Sequence, residues 1–253
     1  MEPVDLVGTR HAIRHAISSR LRTGSGPGLV DRGGEVLSIA RLYAVFWGAS
    51  SDFPVDAQGG IETLFKSLDK SAYLTQLNQY FRGAMVSAPY AGTLFDSSAT
   101  PISEPSRTAV AAAAYRALDT AAQAPAKDAL YLVFSSNFPE GMHGCAWHSW
   151  SVCHDIPIAV ALVPNPQGDP GRCLLLGPHT GGGVSAATAI LQSFAMHEIV
   201  EAMSDPFLYS GWADPYSEEG ADKCESYFAF TRVGDGTFWL QSVWSNAEHR
   251  CVR

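Results

Sequence analysis

The chain has 253 residues, 46% of them hydrophobic and 17% charged, enough to bury a sizeable core and too apolar for a disordered or fibrous protein. Its net charge of −8 and pI near 5.4 leave no excess of Lys and Arg to neutralise phosphates, so no nucleic-acid partner is expected. No uninterrupted apolar run reaches the length of a membrane span, so no membrane partner is expected either.

Residues 1–34 read as an N-terminal arm and linker. His11-Ala-Ile-Arg-His-Ala-Ile-Ser-Ser-Arg-Leu-Arg22 has helical spacing with a basic face, and Thr23-Gly-Ser-Gly-Pro-Gly28 follows as a flexible stretch. The arm lacks the central apolar run of a secretory signal, so a cytoplasmic location is expected if Met1 is the natural start. Residues 35–253 read as one domain. A strand is predicted over 41–47, then helices over 60–69, 71–81 and 105–122, the last opened by Ser103-Glu-Pro-Ser106 with its proline at an early position. Strands over 129–135, 157–163 and 172–176, a long helix over 186–203 and a strand over 237–244 complete the pattern. The fold class is α/β (α+β), a mixed sheet flanked by helices.

The chemistry concentrates where basic residues are missing. Between Arg172 and Lys223 there is no lysine or arginine, yet the stretch holds Glu198, Glu201, Asp205, Asp214, Glu218, Glu219 and Asp222. The helix over 186–203 is apolar on every face, as a buried helix is, so His197, Glu198 and Glu201 on it need a cation or a hydrogen-bonded network. His197 and Glu201 are four apart and point the same way, so one ion can touch both. Glu198 takes the place of the general base in the His-Glu-x-x-His helix of zinc peptidases, whose second histidine is a glutamate here. Zinc is the first expectation, with manganese or iron behind it for so oxygen-rich a set.

Pro206 ends the helix, and Gly211-Trp-Ala-Asp-Pro-Tyr-Ser-Glu-Glu-Gly-Ala-Asp-Lys-Cys224 reads as a loop returning over it. Glu219 is the first choice for a third ligand and Asp222 the second, with Asp205 and Asp214 holding His197 or the loop. In His143-Gly-Cys-Ala-Trp-His148 and Cys153-His154 the spacing fits neither a C-x-x-C pair nor a finger; His148 is expected near the active site as a catalytic hydrogen-bond donor, or the segment is a disulfide-braced loop. Gly177-Pro-His-Thr-Gly-Gly-Gly183 lacks the ending of a phosphate loop and reads as a pliable approach to the helix or a strip against an extended substrate.

Together, His197-Glu-Ile-Val-Glu-Ala-Met-Ser-Asp-Pro206, Gly211-Trp212-x-Asp214, Glu219-x-x-Asp222-Lys-Cys224 and Leu240-Gln-Ser-Val-Trp-Ser-Asn-Ala247 resemble a group of bacterial and fungal proteins. That group has an H-E-x-x-E-A-x-T-D-P helix, an E-x-G-D-K-C loop and a W-S-N-A strand end. It is similar, more distantly, to the EXORDIUM or phosphate-induced proteins of plants. Leu42-Tyr-Ala-Val-Phe-Trp-Gly48 and Gly144-Cys-Ala-Trp-His-Ser149 extend the likeness from about residue 35 onward. Ser204 replaces the usual threonine, and the loop glycine is shifted by one place. The resemblance implies a zincin-like metallohydrolase domain, and export with disulfides. Of the five cysteines, Cys224 and Cys251 would then tie the metal loop to the last strand; in a cytosolic protein all would be reduced and buried.

Three functions follow from these residues. The first is a zinc hydrolase acting on peptide or amide bonds, Glu198 being the base. The second is an enzyme of specialised metabolism that uses the ion for cyclisation or elimination on a small molecule. The third is an EXORDIUM-like binding or signalling protein with a structural ion.

Overall fold

The computed structural model of the chain describes residues 26–178 and 183–253, together with the backbone of 11–12. Strands β1 (His11–Ala12), β3 (Arg41–Trp47), β4 (Tyr90–Asp96), β5 (Ala129–Ser135), β6 (Trp147–Cys153) and β7 (Ile156–Pro164) form one mixed sheet in the order β1-β6-β7-β5-β3-β4. The pairs β3–β4, β3–β5 and β5–β7 are parallel, whereas β6 runs antiparallel to β7 and β1 antiparallel to β6. The expected mixed α/β architecture is therefore present.

Strand periodicity assigns the faces. Leu42, Ala44 and Phe46, with Leu130, Leu132 and Phe134, lie in one core, and their neighbours Tyr43, Val45, Tyr131 and Val133 lie in the other. The first core is covered by α1 (Ala57–Leu68), the short α2 (Ala72–Thr75) and α4 (Ala186–Ser204). The second is covered by α3 (Arg107–Thr120). Because both faces are covered, the central strands read as unbroken apolar runs, which made β3, β5 and β7 legible.

Helix α4 passes through the middle of the first core, with every residue from Ala187 to Ser204 buried. The hydroxyl of Ser185 caps it by accepting from the backbone N of Thr188 at 3.2 Å, and Asp56 braces that cap from the start of α1. Gly60 lets α1 approach: a Cβ there would stand 2.5 Å from the Thr188 methyl. Ile190, Leu191, Phe194, Met196, Ile199 and Val200 are all buried, each contributing roughly 1.5–3 kcal/mol by burial. That anchorage is what allows the helix to carry His197, Glu198 and Glu201 into the interior.

The remaining strands are peripheral: β2 (Val30–Asp31) pairs with β8 (Trp212–Ala213), β9 (Phe228–Val233) with β10 (Gly236–Gln241), and β11 (Val243–Ser245) with β12 (Arg250–Val252). Disulfides join Cys145 to Cys173 and Cys224 to Cys251, leaving Cys153 as a buried free thiol.

Several expectations need correction. The run 172–176 is no strand: Arg172 folds back on Asp169 at 2.8 Å, Cys173 is held by its disulfide, and Leu174–Leu176 forms a single 3-10 turn. The strand over 237–244 is broken at Ser242, whose backbone N donates to the carbonyl of Tyr227 at 2.7 Å. The helix over 71–81 is capped by Ser71 but tightens after Thr75 into a 3-10 helix over Gln76–Tyr80. In α3 the cap is Ser106, accepting from Ala109 N at 3.1 Å, so Pro105 precedes the helix rather than opening it. Within the described residues before 35, Leu29 is buried, its N and O both bonded to the Asn246 side chain, and Arg32 N and Gly34 N donate to the 210–211 backbone. Of the helix expected over 11–22, His11–Ala12 is extended instead, and the rest lies outside the described residues, as do residues 179–182 of the glycine-rich run.

Candidate metal centre

Four elements converge below the antiparallel edge of the sheet. Helix α4 supplies His197, Glu198 and Glu201; β6 supplies His148; the return loop supplies Glu219 and Asp222; β10 supplies Gln241. His148 faces α4 because it stands opposite Ala161 of β7, whose side chain lies in the core that α4 covers, while its neighbour Trp147 points to the α3 side.

Glu201 Oε2 is the hub. It lies 3.2 Å from His197 Nε2 and 3.7 Å from His148 Nδ1. His197 Nε2 is also 3.5 Å from Asp222 Oδ1, and His148 Nε2 is 3.7 Å from Glu219 Oε1. Glu198 Oε2 meets His148 Nδ1 at 3.2 Å. A tetrahedral ion with bonds of ~2.0–2.2 Å holds its donors about 3.3–3.6 Å apart, the spacing seen around His197. The donors form two buried triads, His197/Glu198/Glu201 and His148/Glu201/Glu219, each with its ligand atoms within 4.8 Å of one another. These buried His/Glu groups could hold a metal ion.

Electrostatics point the same way. Burial, with the negative neighbours Glu201, Asp222 and Glu219, pushes the Glu198 carboxyl well above the usual range despite His197 beside it. For His197, burial disfavours the charged ring, yet Glu201, Asp222 and Glu198 outweigh it and raise the imidazole well above its ordinary value. Acids that crowd a buried imidazole in this way favour a positive charge between them, which a divalent cation supplies by displacing protons. Glu198 Oε1 and His197 Nε2 are fully buried with no hydrogen-bond partner among the described residues.

The supporting groups hold the loop. Asp205 accepts from the backbone N of Ser210 at 3.0 Å and of Gly211 at 2.8 Å, and Asp214 from Tyr216 N at 2.8 Å and Glu218 N at 2.9 Å. Asp214 also pairs with Lys223, Nζ to Oδ2 at 3.1 Å, in the interior. Neither acid reaches His197. That role falls to Gln241, whose Oε1 lies 3.2 Å from His197 Nδ1. The loop is pinned to α4 where Asp222 N donates to Glu201 Oε1 at 3.0 Å, and two residues on Cys224 ties it to β12.

Glu219 does not group with His197 as expected; its carboxylate stands at His148. The loop glycine, displaced to Gly220, is followed by Ala221 and Asp222, and this places Asp222 beside the His197 ring. The residues of the 143–154 cluster are dispersed: Cys145 is in a disulfide with Cys173, His143 is exposed at Glu104, and His154 lies against Tyr115, while His148 alone joins the acidic cluster. Gln241 was missed as a site residue, although it sits in the Leu240–Ala247 motif. No helix among the described residues is long and apolar enough to cross a membrane. Comparison of the chain with family models, curated proteins and solved structures gave no match.

Proposed function

We propose that the protein is a metal-dependent hydrolase, zinc being the first candidate ion, with a peptide or small amide as substrate. The observation that carries this reading is Glu198: a fully buried carboxylate, one oxygen held by His148 and the other without a hydrogen bond among the described residues, beside a His/Glu triad. His197 and Glu201 would hold the ion, with Asp222, 3.5 Å from His197 Nε2, as the third donor within reach. When bound, such an ion polarises a substrate carbonyl and acidifies the attacking water. Glu198 Oε1 would accept the proton of that water and return it to the leaving nitrogen, a cycle served by a carboxyl whose pKa burial has raised. His148 Nδ1 keeps Oε2 fixed, so that Oε1 alone exchanges the proton. The likeness of the His197–Pro206 and Glu219–Cys224 motifs to the bacterial and fungal H-E-x-x-E group supports the same reading.

One observation favours a second reading, a structural ion. His148, Glu198, Glu201 and Glu219 have at most 1% exposure, and Asp222 only 7%. The two are separated by assaying zinc-loaded and chelator-treated protein against mixed peptide, amide and ester libraries. Turnover that vanishes with the chelator and returns with zinc supports the hydrolase. Zinc whose removal melts the fold, from a protein inert on every substrate, establishes the structural ion instead.

A further inference from the structure

The buried cluster holds more donors than one ion uses, and they are not arranged around one point. The two histidines belong to different triads, His197 with Glu198 and Glu201, His148 with Glu201 and Glu219, and Glu201 is common to both. We infer that the cluster is a two-cation centre in which Glu201 bridges, His197 serves the first ion, and His148 with Glu219 serves a second divalent ion. The first ion rests on the metal-dependent reading above; the second is an addition to it.

The geometry of Glu201 supports the bridge. Its Oε1 is engaged by the backbone N of Asp222 at 3.0 Å, so a single oxygen, Oε2, faces both rings, at 3.2 Å from His197 Nε2 and 3.7 Å from His148 Nδ1. An oxygen between two imidazoles that share no triad is placed as a bridging carboxylate is, and paired ions in such sites stand ~3.5–4 Å apart. The second triad has its own donors from its own elements: Nε2 of His148 on β6, whose Nδ1 is bonded to Glu198, lies 3.7 Å from Oε1 of Glu219 on the return loop, with Glu201 in the same triad. Glu198 adds an independent observation: it stands between the triads, bonded through Oε2 to His148 and grouped with His197, and its buried Oε1 has no hydrogen-bond partner among the described residues. The lysine closest in sequence, Lys223, is turned away from the cluster, its ammonium on Asp214 and over the Trp244 ring. Two imidazoles with several carboxylates suit borderline to hard divalent ions, zinc or manganese.

The test is a count. Full-length protein stripped with a chelator is titrated with Zn²⁺, desalted and measured by elemental analysis, then reloaded with Mn²⁺ for electron paramagnetic resonance. The wild type is expected to retain two equivalents and to show the multiline signal of an exchange-coupled manganese pair. Glu219→Gln and His148→Gln should each retain one equivalent and give the six-line signal of isolated manganese, as should His197→Gln. Circular dichroism confirms folding, and Glu219→Gln, which alters a loop residue without changing its size, keeps the test valid if the β6 variant does not fold. One equivalent in the wild type, unaffected by Glu219→Gln, overturns the second ion and leaves the hydrolase reading standing. One equivalent lost equally in the His148 and His197 variants also overturns it, by placing both rings on a single ion. No retained metal overturns both.

Discussion

The side-chain amide of Gln241 determines which nitrogen of His197 faces the acidic cluster. Its Nε2 donates to the carbonyl of Ala221 at 2.5 Å, which leaves Oε1 to face His197 Nδ1 at 3.2 Å. An acceptor at that position requires Nδ1 to carry a proton, so in the neutral ring Nε2 holds the lone pair that points to Glu201 and Asp222. The strand β10 thus sets the tautomer of His197 on α4. Gln241→Leu should weaken zinc binding about 10- to 100-fold, the usual cost of losing such a partner, measured by competition with a chromophoric chelator. Gln241→Glu, which keeps the acceptor, should retain most of the affinity. Equal affinity in the wild type and in Gln241→Leu would remove Gln241 from the site.

Glu198→Gln preserves size and helix propensity while removing the base. The variant is expected to keep its fold and its zinc and to lose turnover by ~10²- to 10⁴-fold on whatever substrate the wild type hydrolyses. Loss of the metal in this variant would make Glu198 a ligand, as its place in the His197 triad allows. Full activity would end the hydrolase reading.

How much of this was legible in the sequence depends on where each residue stands. The elements buried on both sides were readable because their patterns are unbroken: β3, β5 and β7 as apolar strand runs, α4 as an apolar helix interrupted by His197, Glu198 and Glu201. Strand β6 was not, because Trp147–Cys153 mixes serine, histidine and tryptophan one strand in from the sheet edge and resembles a ligand-bearing loop. Its consequence, that His148 turns toward α4, follows only from the antiparallel register with β7. Edge strand β4 was hidden by Gly92, which has a φ of +149° beside the register shift at Leu42/Tyr43. The placement of Glu219 at His148 rather than at His197 depends on how a fourteen-residue acidic loop coils, which spacing alone does not encode.

The Cys224–Cys251 bridge closes a sequence separation of 27 residues immediately after Asp222. Loop-closure entropy for that length is worth about 3.5 kcal/mol, which for a domain of this size corresponds to a Tm lower by roughly 7–14 °C in Cys251→Ser. The effect on metal should be larger than on fold, because Asp222 lies in the turn that the bridge anchors, with its N–H on Glu201. Zinc dissociation from Cys251→Ser should therefore be faster than from Cys153→Ser, whose thiol has no bridge to lose. Identical dissociation rates would show that the loop holds its shape without the disulfide.

Asp56 fastens the start of α4, the helix that carries the buried His/Glu cluster. Burial alone would raise its carboxyl pKa, but hydrogen bonds from Thr188 and from the N–H and hydroxyl of Ser185 outweigh that and lower it below the usual carboxylate value of 3.8. A depressed folded-state pKa stabilises the fold above the unfolded value, and that contribution is lost as the pH falls through the folded one. The Asp56 share of stability should thus be constant above about pH 5 and disappear below 3.8. Asp56→Ala should cost about 1 kcal/mol at neutral pH, less than a buried charged hydrogen bond would, because the site is solvent-screened. Urea unfolding of the two proteins at pH 7 and pH 3 checks both statements: the gap between wild type and Asp56→Ala should be narrower at the lower pH than at the higher. A gap of equal width at both would mean that Asp56 braces α4 through shape rather than charge.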